Sequence, residues 1–158
     1  MVGYVHYRAD GTMAPVVLNS QGVGSYSGQG LIEVENFFGM IGDASKYHYK
    51  DDLFGVQISS SSSEMVILSY PQITNITGDT LVLRLWSWSH SHPETIIPVH
   101  VKLDNIPVGR CLIKKPGQTE VKCDLKVDNN ARITADLTLS FDQFGDGEEV
   151  ILDSFYFE

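Results

Sequence analysis

Thr80-Leu81-Val82-Leu83-Arg84-Leu85-Trp86-Ser87-Trp88 is the stretch that decides the fold. Leu81, Leu83 and Leu85 alternate with Val82, Arg84, Trp86 and Trp88, and successive side chains of a strand point to opposite faces. The leucine face belongs in a core, and the half-polar face opposite suits an antiparallel sheet. The same alternation recurs outward along the chain. Ile97, Val99, Val101 and Leu103 oppose Pro98, His100 and Lys102; Val121, Cys123, Leu125 and Val127 oppose Lys122, Asp124 and Lys126; Ile133, Ala135, Leu137, Leu139 and Phe141 oppose Thr134, Asp136, Thr138 and Ser140. If the strands at Thr80 and Ile97 are neighbours, Arg84, Trp86, Trp88, His100 and Lys102 share one non-core face. No segment carries a helical period. Short alternating strands separated by turn residues predict an all-β protein, an antiparallel β-sandwich.

The two ends of this strand series carry acids. Leu31-Ile32-Glu33-Val34-Glu35-Asn36-Phe37-Phe38 reads as a strand with Glu33 and Glu35 on one face, where two carboxylates repel unless a cation or water separates them. In Val150-Ile151-Leu152-Asp153-Ser154-Phe155-Tyr156-Phe157, Asp153 falls on the face of Ile151, Phe155 and Phe157, an expensive place for an unpaired anion. First and last strands side by side, with Ca²⁺ held by Glu33, Glu35 and Asp153, would relieve both conflicts, because hard cations take oxygen ligands.

The chain has 158 residues and a formal charge of −9. That length fits one domain, and the acidic balance without Lys/Arg clusters argues against a nucleic-acid partner. No apolar run is long enough to cross a membrane as a helix, so no membrane partner is expected. Residues 1–30 read as an N-terminal extension or linker, with extra strands as the alternative; Gln21 to Gly30 is rich in Gly and Ser. Residues 31–158 form the predicted main domain. Cys111 and Cys123 flank the turn Lys115-Pro116-Gly117-Gln118 and fall nearly opposite across a hairpin, which leaves two readings. They form a disulfide, favouring an oxidising compartment, or they are two buried thiols.

The ordered set of segments resembles carbohydrate-binding modules of families 6 and 35. Ile32 to Phe37 is similar to their "I-E-A-E-N/D-Y/F" opening, Phe54-Gly55-Val56-Gln57-Ile58 to "n-V-G-x-I", and Thr80 to Ser87 to "Y-x-L-x-x-R-v-A-S". Val101 to Asn105 resembles "v-x-l-D-G", Leu137 to Phe141 "h-t-L-x-L-x-F", and Ile151 to Phe157 the closing "n-L-D-W-f-x-F". The resemblance implies a jelly-roll sandwich that binds glycans non-catalytically, is joined to a glycoside-active enzyme and is secreted. Its structural calcium would use Glu33, Glu35 and Asp153. The family's sugar clamp pairs an aromatic of the first loop, here Tyr47 or Tyr49, with a Trp of the turn at Pro116-Gly117-Gln118. This chain carries Gln118, Thr119 and Glu120 there instead, so Trp86 and Trp88 become the candidate stacking platforms, with Asp146 as a candidate acceptor for sugar hydroxyls.

Catalysis by the domain itself is not expected. Glu148 and Glu149 are adjacent and would face opposite ways in a strand, and no G-x-S-x-G or Cys/His constellation is present. His90-Ser91-His92 lacks the following Glu and the later His that a cupin metal site needs. The expected function is therefore polysaccharide or oligosaccharide binding by a calcium-stabilised, monomeric module of a larger chain. The alternative is a structural or adhesion sandwich without glycan binding.

Overall fold

A computed structural model describes residue 12 and residues 26–50, 53–59, 65–89, 96–114, 117–127, 133–142 and 149–158, without the side chains of 49, 50 and 87–89. Among the described residues twelve strands follow in chain order: β1 (Tyr26–Ser27), β2 (Ile32–Glu33), β3 (Gly39–Ile41), β4 (Ala44–Lys50), β5 (Leu53–Ser59), β6 (Val66–Ile76), β7 (Thr80–Ser89), β8 (Ile97–Leu103), β9 (Ile106–Ile113), β10 (Glu120–Asp124), β11 (Ile133–Phe141) and β12 (Glu149–Phe157). They form two sheets. The first runs β1-β6-β11-β8-β9, with β3 also on β6; the second runs β10-β7-β12-β5-β4, with β2 also on β12. All pairings are antiparallel except β1 with β6. This is the expected antiparallel β-sandwich.

The apolar halves of the alternating strands meet between the sheets, with Ile58, Leu68, Leu83, Val99, Leu137, Phe141 and Phe155 among the fully buried side chains. Each such Leu, Ile, Val or Phe contributes about 1.5–3 kcal/mol by leaving water. Tyr70 and Phe155 pack edge to face at 4.9 Å across the core. The strand of Thr80 obeys its pattern at Leu81, Leu83 and Leu85, while Val82 on the opposite face is also buried, between its cross-strand neighbours Lys122 and Tyr156.

Tyr47 and Tyr49, expected in a first loop, lie on strand β4, and three further expectations are corrected. First, β7 and β8 are not neighbours: β7 lies in the second sheet and β8 in the first, so Arg84 and Trp86 do not share a face with His100 and Lys102. Second, the Leu31–Phe38 stretch is not one strand. After Ile32–Glu33 the chain turns through a 3-10 helix, Val34–Asn36, that buries the adjacent Val34 and Glu35 together. The physical reason is that tyrosines take the carbonyls a ladder would use: Tyr70 Oη donates to Val34 O and Tyr26 Oη to Asn36 O, both at 2.6 Å. Third, Cys111 and Cys123 are bridged, but between sheets, from β9 to β10, with Cα atoms 4.8 Å apart.

Tyr26–Ser27, inside the segment read as an extension, adds to β6. The rest of residues 1–25 lies outside the described residues apart from Thr12.

Candidate functional site

The outward half of the first sheet carries a groove of about 500 Å³. Its floor follows from register. Ile67 and Ser69 on β6 stand opposite Ser140 and Thr138 on β11, and these stand opposite His100 and Lys102 on β8. At one rim His100 Nε2 lies 2.9 Å from Asp142 Oδ2. At the other, Asp104 and Asn105 make the two-residue β8–β9 turn with positive φ at both positions (49° and 66°), as a type I′ hairpin requires. Asp104 Oδ1 accepts a hydrogen bond from Asp136 N, pinning the turn to β11. Neighbouring strands are about 4.8 Å apart, so the four strands span about 14 Å. The groove thus offers hydroxyl, imidazole, carboxylate and ammonium groups beside apolar Met65, Ile67 and Pro107.

A second groove, of about 460 Å³, continues it over β9 and shares His100, Pro107 and Gly109. Gly109 admits this geometry: a Cβ there would stand 2.8 Å from Asp124 O and from Leu125 Cδ2. The close approach lets Lys126 N donate to Val108 O, which sets Lys126 beside Arg110 along the groove.

Of the aromatics selected from sequence, Tyr47 and Trp86 lie on the opposite side of the sandwich. On the outer face of the second sheet Tyr47 pairs with Gly55 across β4 and β5, and the ring of Trp86 lies against Gly55. Tyr47 and Trp86 therefore flank one glycine. Gln57 Nε2 donates to Glu149 Oε2 farther along this face. Tyr49 and Trp88 belong to β4 and β7, but their side chains lie outside the description, and Asp146 lies outside the described residues. Gln118, which stands where the resemblance has Trp, braces the turn instead: its Oε1 accepts from Lys114 N and its Nε2 donates to Glu120 O.

The acids of the chain ends are only partly assembled. β2 and β12 do lie side by side, with Glu33 opposite Ser154. Glu35 is 2% exposed, and its Oε2 has no hydrogen-bond partner. Burial raises its pKa to about 8, with Glu33 adding to the rise and Lys46 opposing it. The Lys46 ammonium stands 5.4 Å from the Phe37 ring centroid; desolvation lowers its pKa, against the pull of Glu35. A bulge between Leu152 and Ser154 breaks the alternation on which the position of Asp153 was read, and Asp153 Oδ2 accepts from Ser154 Oγ at 2.8 Å. Among the described residues no group of three or more His, Cys, Asp or Glu is placed to hold a metal ion. The pair Glu33–Glu35, with its partnerless buried oxygen, is the part of the predicted set that fits a cation.

Sequence reasoning passed over Ser140, Asp142 and Arg110. The signal was available in the polar alternation at Thr138, Ser140 and Asp142 and at His100 and Lys102. Strand order, which sequence does not state, is what brings them together.

No protein-family model and no curated protein matches the sequence. Solved structures do match. A family 6 module from Clostridium stercorarium in complex with cellobiose superposes with a TM-score of 0.63 at 14% identity, over 85% of this chain and 97% of that one. A family 6 carbohydrate-binding module from Clostridium cellulolyticum in complex with xylose gives 0.62 at 16% identity, over 84% and 98%. A family 36 module in complex with calcium and xylotriose gives 0.52 at 17% identity, over 82% and 99%. The two packed sheets described above are thus the fold of the family 6-type carbohydrate-binding modules.

Proposed function

We propose that this protein binds an oligosaccharide or polysaccharide without catalysis, in the groove on the outer face of its first sheet. The observation that carries this reading is the floor built from Ser69, Thr138, Ser140 and His100, where polar groups on rigid strands converge beside Met65, Ile67 and Pro107. Concave surfaces with a few placed polar groups and apolar walls are where small ligands bind. Sugar hydroxyls both donate and accept, matching the Ser and Thr hydroxyls and the His100–Asp142 pair; the apolar walls suit the C–H faces of the rings. Cellobiose, xylose and xylotriose, bound by the three modules of this fold, are the natural first probes. A linked glycoside-active enzyme and a secreted location complete the reading. The inter-sheet disulfide supports an oxidising compartment.

Calcium enters at Glu33 and Glu35, where it would supply the positive charge that two facing carboxylates need. The buried oxygen of Glu35 supports this; Asp153 is not gathered with the pair.

Affinity electrophoresis against soluble polysaccharides tests the function. Retardation that His100→Ala weakens and Trp86→Ala leaves intact is the expected result. The reverse dependence would move the site to the Tyr47–Trp86 face of the second sheet. Normal migration of the folded protein on every glycan would overturn the reading.

A further inference from the structure

The two contiguous grooves are lined by three cations and two acids, the reverse of the balance in the chain. The protein has 20 acidic and 11 basic residues, yet Lys102, Arg110 and Lys126 converge along this one surface. His100 and Arg110 are direct cross-strand neighbours on β8 and β9, and Lys102 follows two positions along β8 on the same face. The lining acids are two. Asp142 is engaged by His100, and Asp124 forms no ion pair with a described cation.

Two exposed cations of the second sheet are handled differently. Arg84 pairs with Glu120, and Lys122 with Glu158. Among the described residues no acid pairs with Lys102, Arg110 or Lys126. Three cations that no described acid engages along a groove, in a chain of net charge −9, make a local field that reaches about one Debye length, roughly 8 Å in physiological salt. Arg110 adds a planar fork whose geometry matches a carboxylate or a sulfate ester, which a neutral hydroxyl cannot exploit to the same degree.

We infer that the glycan taken by this groove is acidic, a polysaccharide bearing carboxylate or sulfate groups, with Lys102, Arg110 and Lys126 as the residues that select the charge. This inference rests on the glycan-binding reading above and deepens it. Anionic groups spaced along the polymer would meet the cations along β8 and β9, while ring hydroxyls meet Ser140, Thr138 and the His100–Asp142 pair. The rest of the acidic surface would repel the same polymer, so binding is confined to the groove.

The test uses the full chain and matched probes in affinity electrophoresis and calorimetry. The probes are sodium polygalacturonate and its fully methyl-esterified form, dextran sulfate and dextran, and poly-L-glutamate as a polyanion without sugar. The expected result is binding to polygalacturonate or dextran sulfate at least tenfold tighter than to the uncharged counterpart. Binding should weaken as salt rises from 20 to 300 mM and fall about tenfold in Lys102→Gln/Arg110→Gln, a surface change that keeps the thermal midpoint. Lys126→Gln, outside the regular strands, gives an independent second variant. Preference for polygalacturonate identifies a uronate ligand, and preference for dextran sulfate a sulfate ester. Equal affinity for charged and uncharged glycans, unchanged in the variants, overturns the charge selection and leaves glycan binding standing. Poly-L-glutamate bound as tightly as the acidic glycans overturns it as mere ion exchange. Failure to bind any glycan, the cello- and xylo-oligosaccharides included, overturns the glycan-binding reading itself.

Discussion

The ring of Trp86 lies against Gly55: a Cβ built on Gly55 would stand 3.1 Å from Trp86 Cζ3 and only 2.4 Å from the Leu152 carbonyl oxygen. The glycine lets the indole of β7 reach across β12 to β5 and cover the sheet. Gly55→Ala drives a methyl into a backbone atom that cannot rotate away, so the sheet must shift. The expected loss is about 1–3 kcal/mol of stability, read as a lower urea midpoint with little change in m. An unchanged midpoint would show that the β5–β12 ladder is slack at this point.

Cys111 and Cys123 tie β9 of the first sheet to β10 of the second, 12 residues apart in sequence. Closing a loop of that length restricts the unfolded chain by about 3 kcal/mol. Cys111→Ala/Cys123→Ala, compared with the parent by calorimetry, is expected to melt several degrees lower. The grooves lie partly on β9, so glycan affinity in the double variant reports whether the bridge also positions Arg110. Retained affinity at lower stability would assign the bridge to stability alone.

Glu35 gives the protein an unusual pH response. Its carboxyl is raised to about 8 in the fold, chiefly by burial and then by Glu33, from an ordinary value of 4.5. The folded state therefore holds a proton that the unfolded state has lost between pH 4.5 and 8. Stability of the metal-free protein falls as pH rises through that window, by an amount on the order of a few kcal/mol. In EDTA the thermal midpoint should be higher at pH 5 than at pH 8, and Glu35→Gln should flatten the difference. Calcium should restore stability mainly at pH 8, because ligation needs the deprotonated carboxylate. A calcium response equal at both values would place the ion elsewhere.

How far the sequence reaches is clear from these same residues. The alternation of Leu81, Leu83 and Leu85 with Arg84 and Trp86 specifies which way each side chain points, and the sandwich follows from that period. Alternation carries no information about which strands become neighbours, so a shared face for His100 and Arg84 hangs on a strand adjacency that the two sheets do not provide. The period also fails where side chains replace the ladder. Tyr26 and Tyr70 donate to the carbonyls of Asn36 and Val34, and a bulge beside Asp153 undoes its predicted facing. The groove was legible as polar positions on β8 and β11 but not as one site. Its assembly depends on β11 inserting between β6 and β8, a contact that spans long stretches of chain.

The hydroxyl of Tyr70 is the last test of that opening turn. It is fully buried, and its hydrogen bond to Val34 O at 2.6 Å holds the carbonyl that the 3-10 helix turns away from a strand partner. Tyr70→Phe keeps the ring packed on Phe155 and removes only the donor, leaving a buried carbonyl unsatisfied. The expected cost is about 1–3 kcal/mol. The turn also carries Glu35, so loosening it should admit water to the Glu35 carboxyl and bring its pKa back toward the ordinary carboxylate range. The variant should then be less stable than the parent at pH 5, yet lose less as pH rises to 8. An equal loss at both values would mean that the turn holds its shape without the tyrosine, through the packing of Val34 and Ile32 alone.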